Sequence, residues 1–424
     1  MPGAGKTAEY SAALPEEHRH WLRNVILITV SQFFAQLAFS SAMTFIPFYF
    51  KELGVTEKDA LSMYVAVFAM AGNLSFCLCS PMWGALADRF GRKLMLLRST
   101  LGGALLMPLM AFITVPGLLV FHRFLLGGLV GTVTAAQTLI IATTPQKRLT
   151  FSLGAVSAGL FAGIMAGQFL GGIAVSRFGF FATFIWSGIL LGVSTVLVFF
   201  TKEHFRRLPA PSPGGRSPFR LPRFGTAGLL LLLFAAMGFS RDIDGPFLPQ
   251  LVMEVVNKSE QALLWTGWIN GLCALGGMLS GLILGYAAGK LPLLKVLTVV
   301  IFIAGTARLL LAFAPSAQVI MGERFVQVLA AGGMEPLFQA WVAGAVLARD
   351  QGMILGWSAT ARSAGWMTGS LAGGGLAVAF GGVHGLFFVS GLLYLLLIPT
   401  MFLIARRVPP PPPGAVKKHR KARA

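Results

Sequence analysis

Long apolar runs separated by short polar or basic stretches repeat along the whole chain. A helix needs about 20 mostly apolar residues to cross a bilayer. Measured against this length, the pattern predicts twelve membrane-spanning helices over residues 22–50, 60–83, 94–114, 117–143, 150–176, 178–200, 224–250, 261–288, 293–313, 316–346, 352–378 and 382–405. We therefore predict an all-α membrane protein.

The composition supports lipid as the solvent of these segments. The chain has 424 residues and is 55% hydrophobic but only 12% charged, with a mean hydropathy of +0.75. A soluble domain carries about 25% charged residues. The three cysteines lie in predicted spans and the six histidines are scattered. Neither residue type shows metal-ligand spacing, so no metal or other cofactor is predicted.

The net charge of +19 reflects membrane topology. Most of the Lys and Arg residues precede the first span, follow the last span or lie in every second loop. Because positive residues stay on the cytoplasmic side, we expect both termini to be cytoplasmic. We expect a multi-pass monomer in the lipid bilayer of the inner (cytoplasmic) membrane, with no nucleic-acid partner.

An internal repeat divides the chain into two related halves. HRFLLGGLVG (122–131) resembles ERFVQVLAAG (323–332), and GIMAGQFLGG (163–172) resembles GWMTGSLAGG (365–374). Two parallel halves place a substrate site between them, near the membrane midplane. The predicted parts are a cytoplasmic N-terminal segment (1–21), a six-helix bundle (22–200), a cytoplasmic linker (201–223), a pseudo-symmetric second six-helix bundle (224–405) and a basic cytoplasmic tail (406–424).

Charged residues interrupt the seventh predicted span, in the stretch GFSRDIDGPFLPQL (238–251). A charge at bilayer depth costs about 2.5–3.5 kcal/mol on insertion scales, so such charges pair or line a water-filled path. Arg241 and Asp244 are three residues apart and are predicted to pair on one helix face, whereas Asp242 needs another partner. Pro246 removes the donor to the carbonyl of Asp242 and breaks the helix, which is tolerated where a helix lines a cavity.

Polar residues recur at depth in other predicted spans. Span ten places Arg324 and Gln327 on one face with two further polar residues. Arg308, in span nine, is interpreted as a packing or snorkelling residue. The candidate proton-coupling and substrate-cavity residues are Arg241, Asp242, Asp244, Glu335, Gln339, Arg362, Arg123 and Gln36.

The loop between spans two and three reads GALADRFGRK, residues 84–93. Gly84 would let two helices approach closely, and Asp88 can complement the positive N-terminus of a neighbouring helix. The basic residues hold the loop on the cytoplasmic side. The candidate cytoplasmic gate residues are Gly84, Asp88, Arg89, Gly91, Arg92 and Lys93.

This loop resembles the loop 2–3 signature of the major facilitator superfamily. FSSAMTFIPFYFKELGV (39–55) is similar to the first span of its twelve-span multidrug-efflux branch, the drug:proton antiporters. The resemblance implies that spans one, four, seven and ten line a central cavity. It also implies that the loop latches the two halves on the cytoplasmic side in the outward-open state. Asp88 would then meet the start of span eleven near Gly352, with support from Arg92.

Two segments depart from the family pattern. Leu126 replaces the family glutamine in LVFHRFLLG (119–127), and Gln168 follows Gly167 where antiporters usually have proline. The glycines of span five still indicate close helix packing.

The predicted function is proton-coupled efflux of small amphipathic compounds or drugs by alternating access. Burial favours the neutral form of a carboxylic acid and a nearby arginine favours the charged form. A moving Arg–Asp contact could therefore switch proton affinity. In this hypothesis Asp242 or Asp244 carries the proton, and Glu335 with Arg123 or Arg362 shapes the substrate site. Three alternatives remain: fixed structural ion pairs, transport of a specific metabolite or organic anion (siderophore, sugar or carboxylate), and a non-transporting receptor or scaffold. Nothing indicates an enzyme.

Overall fold

The computed structural model describes residues 20–145, 148–203, 227–256, 258–288, 290–345 and 351–410. Within these ranges the regular structure is helical and contains no strand. The α-helices are α1 Trp21–Met43, α2 Ile46–Glu52, α3 Lys58–Phe90, α4 Arg92–Leu109, α5 Pro116–Leu129, α6 Thr132–Thr143, α7 Leu149–Phe199, α8 Ala227–Asp242, α9 Leu248–Val255, α10 Ser259–Ala288, α11 Leu293–Leu311, α12 Ala317–Ala331, α13 Met334–Gly344, α14 Gln351–Ala379, α15 Val383–Leu395 and α16 Leu397–Arg407.

The predicted all-α membrane fold is confirmed, and helix covers part of every predicted span. Eight segments of the described chain are long and apolar enough to cross a membrane by length and composition. Predicted spans five and six run together in α7, where Gly179 (φ 75°, ψ 177°) interrupts the helical backbone. Spans seven and ten are each divided into shorter helices. The count of twelve spans therefore stays a prediction.

The chain forms two compact units. The first comprises Met1–Thr44 and Leu74–Gly215, and the second comprises Phe45–Asn73 and Arg216–Ala424. Within the second unit, the Gln250 side-chain amide donates to the Ser62 hydroxyl at 2.9 Å. Most of the predicted linker (201–223) and of both terminal segments (1–21 and 406–424) lies outside the described residues, and the predicted domain boundaries stay a prediction.

Glycines bring helix pairs into backbone contact inside each unit. In the first unit, a Cβ atom at Gly163 would collide with the carbonyl oxygen of Phe33 in α1. In the second unit, a Cβ atom at Gly365 would collide with the carbonyl oxygen of Ala235 in α8. Both partners are displaced by the same 202 positions as the sequence repeat. The interpretation of these glycines as sites of close helix packing is confirmed.

Aromatic residues pack together in the interior of the second unit, and large apolar residues are exposed on its outside. Phe234 meets Phe338 edge-on at a centroid distance of 6.1 Å, and Phe338 stacks on Trp341 at 6.4 Å. All three side chains are fully buried. Large apolar side chains such as Leu232 and Phe313 are exposed. Such an outer surface suits hydrocarbon rather than water.

Candidate functional site

The seventh predicted span is broken at its charged stretch. Helix α8 ends at Asp242, a single 3₁₀ turn follows over Gly245–Phe247, and α9 begins at Leu248. Pro246 has no amide hydrogen to give to the carbonyl of Asp242, so the helical ladder cannot continue. The last carbonyls of α8 are left without partners in their own helix.

Arg308 of α11 satisfies these carbonyls. Its Nη1 atom donates to the carbonyl of Ser240, and its Nη2 atom donates to the carbonyl of Arg241 at 3.0 Å. A positive charge at a helix C-terminus is also favoured by the helix dipole. Arg308 therefore caps α8 from a neighbouring helix.

The same guanidinium pairs with Asp244. Arg308 Nη2 lies 3.2 Å from Asp244 Oδ1, and the Ser390 hydroxyl donates to Asp244 Oδ2 at 2.7 Å. Arg324 of α12 approaches Asp244 Oδ1 at 3.7 Å. Asp244 is 0% exposed and Arg308 is 1% exposed. This is a buried ion pair with further hydrogen bonds, the arrangement that compensates two desolvated charges.

Two expectations from the sequence are wrong here. Arg308 is neither a packing residue nor a snorkelling residue, because its head group is buried against Asp244. Arg241 and Asp244 do not pair, because α8 ends between them and the helical i, i+3 geometry is lost. Arg241 instead approaches Glu335 at 3.9 Å.

Asp242 has a different environment from Asp244. The Ser370 hydroxyl of α14 donates to Asp242 Oδ2 at 2.6 Å. Asp242 forms no salt bridge with any residue of the described chain. Asp244 is thus paired with arginine, whereas Asp242 is hydrogen-bonded by a neutral hydroxyl.

Glu335 forms a second charged cluster. It forms an ion pair with Arg362 of α14, and Gln339 donates to its Oε1 atom at 3.2 Å. The Arg362 guanidinium lies over the Trp366 ring, 4.6 Å from the centroid. The Arg241 side chain is 37% exposed and that of Glu335 is 21% exposed. This cluster therefore contains two arginines for one carboxylate and is more accessible than Asp244.

The tenth predicted span is also broken, and it contributes a charged side chain to each of the two clusters. Helix α12 carries Arg324, whose Nη1 atom donates to Gln327 at 2.6 Å, and Glu335 lies in the first turn of α13. Between the two helices, the Gly333 amide donates to the Ser280 hydroxyl at 2.8 Å. The expected polar face of span ten is thus divided between two short helices.

Two of the candidate cavity residues belong to the first unit. Arg123 lies in α5 and is partly buried, and Gln36 lies in α1. Gln36 sits where α7 crosses α1, because a Cβ atom at Gly163 would come within 3.0 Å of Gln36 Cβ. The other candidates, Arg241, Asp242, Asp244, Glu335, Gln339 and Arg362, are in the second unit.

Residues 84–93, expected to form a loop, lie in α3 up to Phe90 and in α4 from Arg92, with Gly91 alone between the two helices. This segment is held by Glu203, a residue that the sequence reasoning missed. The amides of Arg92 and Lys93, at the start of α4, donate to the Glu203 carboxylate at 3.0 and 2.8 Å. Lys93 Nζ donates to the carbonyls of Phe199 and Thr201, each at 2.7 Å. Each helix end thus receives the charge that its dipole favours. The signal in the sequence was an acidic residue, Glu203, just after the apolar run of the sixth predicted span.

Other expectations for this loop have mixed outcomes. Gly91 adopts a positive φ of 100°, which favours glycine. A Cβ atom at Gly84 would meet nothing within 4 Å, so the close helix approach expected there is wrong. Arg89 lies against the Phe90 ring at 5.3 Å. The side chain of Asp88 is outside the part of the chain that the structure describes, so its expected contact with the start of α14 near Gly352 stays a prediction.

Deep, paired charges on broken helices within an apolar all-helical chain define a multi-pass membrane transport protein. The sequence profile of the Major Facilitator Superfamily matches residues 28–316 and 230–424. The chain belongs to this superfamily. Within the described residues, no group of three His, Cys, Asp or Glu side chains could hold a metal ion.

Relatives and solved structures agree with this assignment. The chain is 29% identical over 366 residues to multidrug resistance protein MdtG of Dickeya zeae, covering 85% of this chain and 89% of the relative. It is 29% identical over 371 residues to the MdtG protein of Citrobacter koseri, covering 85% and 90%. The fold matches nucleoside transporter NupG with a TM-score of 0.72 at 14% identity, covering 90% of this chain and 98% of that one. It also matches a bacterial homologue of the human lysosomal transporter Spinster, with a TM-score of 0.70 at 16% identity, covering 93% and 98%.

Proposed function

We propose that this protein is a secondary active transporter that exports small amphipathic compounds in exchange for protons. It works by alternating access as a monomer in the inner membrane, with both termini in the cytoplasm. Support comes from its family and from two relatives named multidrug resistance protein. We propose no nucleic-acid partner and no enzymatic reaction.

The different partners of Asp242 and Asp244 carry the proposal. Asp244 is compensated by Arg308 and Arg324, so its protonation would leave buried cations without their counter-ion. Asp242 is bound by the Ser370 hydroxyl, so its protonation breaks no ion pair. Asp242 is therefore the proton carrier, and Asp244 holds the broken helix in place.

The Glu335 cluster forms the substrate side of the site. Its side chains are partly exposed, and the Trp366 ring adds an apolar surface beside the charges. Aromatic faces accept both apolar groups and cations. Arg123 and Gln36, which belong to the first unit, stay predictions as cavity residues.

The experiment uses proteoliposomes with a pH-sensitive dye inside and an imposed proton gradient. Lipophilic cations, antibiotics, organic acids and sugars are added in turn. Asp242→Asn should abolish the substrate-dependent loss of the gradient, and the exposed Asp59→Asn should leave it unchanged as a matched control. If Asp242→Asn transports protons with substrate as the parent does, the assignment of the proton carrier is wrong.

A second candidate function is transport of an organic anion or another specific metabolite. The two arginines that share Glu335 favour it, because a guanidinium fork matches a carboxylate or phosphate. In the same assay, a response to organic acids alone that Arg362→Gln removes would establish this function. A response to lipophilic cations would exclude it.

We also propose that residues 84–93 act as the cytoplasmic gate, with Asp88 latching to the start of α14. The Glu203 contacts support this, because they fix the start of α4, which follows Asp88 by four residues. Cysteines placed at positions 88 and 352 should cross-link in one transport state and block turnover. Failure to cross-link in every state would contradict the latch.

A further inference from the structure

Arg98 lies on the outer, apolar face of α4. Leu94, Leu101 and Leu105 share this face with it by helical spacing, and they are 49%, 49% and 64% exposed. A leucine face of this kind is in contact with hydrocarbon when the protein is in a bilayer. Arg98 is the charged member of the face.

The guanidinium of Arg98 is held by a single aromatic platform. Its Cζ atom lies 3.5 Å from the centroid of the Trp83 ring. The Trp83 indole nitrogen is itself fixed, because it donates to the carbonyl of Gly128 at 2.6 Å. The cation and its platform are therefore preorganised at the junction of α3, α4 and α5.

Two of the three nitrogens of this guanidinium make no hydrogen bond within the described chain. The Nε and Nη1 atoms of Arg98 are covered and have no hydrogen-bond partner, and no described carboxylate forms a salt bridge with it. A covered donor without an acceptor is unfavourable. The Nη2 atom is not among the covered atoms, so it is the donor through which an acceptor from outside the chain can reach the guanidinium.

The depth of Arg98 indicates which acceptor is within reach. Arg98 follows the start of α4 by six residues, about 9 Å at 1.5 Å per residue. Helical side chains lean towards the N-terminus of their helix, which here carries Arg92 and Lys93. A long arginine side chain at this depth reaches the headgroup region. Lys93 is already bound to backbone carbonyls.

We propose that Arg98, stacked on Trp83, binds the phosphate of an anionic phospholipid. A guanidinium donates charge-assisted hydrogen bonds to phosphate oxygens. Basic positions between helices on the cytoplasmic side of a membrane are suited to acidic headgroups. The flanking leucines would hold the acyl chains of the same lipid, which a soluble phosphate cannot use.

The test is native mass spectrometry of the full chain with phosphatidylglycerol or phosphatidylcholine added in steps. Arg98→Gln should weaken binding of phosphatidylglycerol by about fivefold, the share of one basic residue near a charged membrane surface. Binding of phosphatidylcholine should change less. Arg98→Lys, which keeps the charge but loses the fork, should lie between Arg98→Gln and the parent. Lys51→Gln, which removes an exposed charge in a segment expected on the opposite side of the membrane, should bind as the parent does.

Two results would overturn the proposal. The first is equal phosphatidylglycerol binding by the parent and Arg98→Gln. The second is competition by millimolar inorganic phosphate that removes the difference between these two proteins, since the site would then take a soluble anion. Trp83→Leu is a second variant, and it should lower phosphatidylglycerol binding if the platform positions Arg98.

Discussion

Arg308→Met tests whether the buried ion pair holds the broken α8. The substitution keeps a long apolar stem and removes the guanidinium. It takes away the contacts to the Ser240 and Arg241 carbonyls, to the Ser390 hydroxyl and to Asp244. We expect a large loss of stability, because the buried Asp244 then loses its nearest cation.

The size of this loss follows from what remains around Asp244. Breaking a buried pair by removing one partner costs about 3–5 kcal/mol. Arg324 stays at 3.7 Å and Ser390 stays at 2.7 Å, so we expect the lower end, about 3 kcal/mol. Arg308→Lys keeps the charge, but its single ammonium cannot replace every contact of the fork, so we expect about half of that loss.

The assay is equilibrium unfolding in mixed detergent micelles, followed by tryptophan fluorescence. Asp244→Asn combined with Arg308→Met should cost less than the sum of the single variants, with a coupling of about 1–3 kcal/mol. Arg406→Met, at an exposed position, is the control. If Arg308→Met unfolds within about 0.5 kcal/mol of the parent, or if the two substitutions are additive, the ion pair does not hold α8.

Three further predictions concern other contacts. Gly365→Ala should lower the free energy of unfolding by about 1–3 kcal/mol through overpacking, because its Cβ atom would collide with the Ala235 carbonyl. Gly375→Ala, in the same helix but facing open space, should leave the free energy of unfolding unchanged. Equal losses for the two variants in denaturant titrations would contradict this packing. Glu203→Gln should lower the free energy of unfolding by about 1 kcal/mol, because it removes the charge that caps α4. Thermal unfolding at low and high salt measures this loss. An unchanged stability at low salt would be inconsistent with the cap. Arg362→Gln should weaken binding of an anionic substrate about tenfold or more, as expected for a lost charged hydrogen bond. Arg407→Gln is the control and should bind the substrate as the parent does. Isothermal titration calorimetry measures the dissociation constant of each variant.

The fold could be predicted from the sequence because lipid imposes a simple pattern. Each apolar run had to be helical, since backbone groups in hydrocarbon must be satisfied within their own segment. The shared 202-residue displacement of the Gly163 and Gly365 contacts was visible as a repeat of letters. The helices and the repeat could both be predicted because each depends only on short sequence segments and on the spacing between them.

The partners within the site could not be predicted in the same way. The hydroxyl that binds Asp242 comes from Ser370, 128 residues away, and the acid that caps α4 comes from Glu203, about a hundred residues away. The pairing rule for Arg241 and Asp244 assumed a continuous helix, although Pro246 already predicted a break. The span containing Arg308 did not indicate which way its side chain faces.

The central claim is that Asp242 carries the coupled proton. The most direct measurement compares two modes of transport in one preparation of Asp242→Asn proteoliposomes, using radiolabelled substrate. Exchange of labelled for unlabelled substrate needs no net proton movement, and accumulation driven by a pH gradient does. We expect Asp242→Asn to retain exchange and to lose gradient-driven accumulation. Retention of both activities, with the same dependence on the pH gradient as the parent, would contradict the claim.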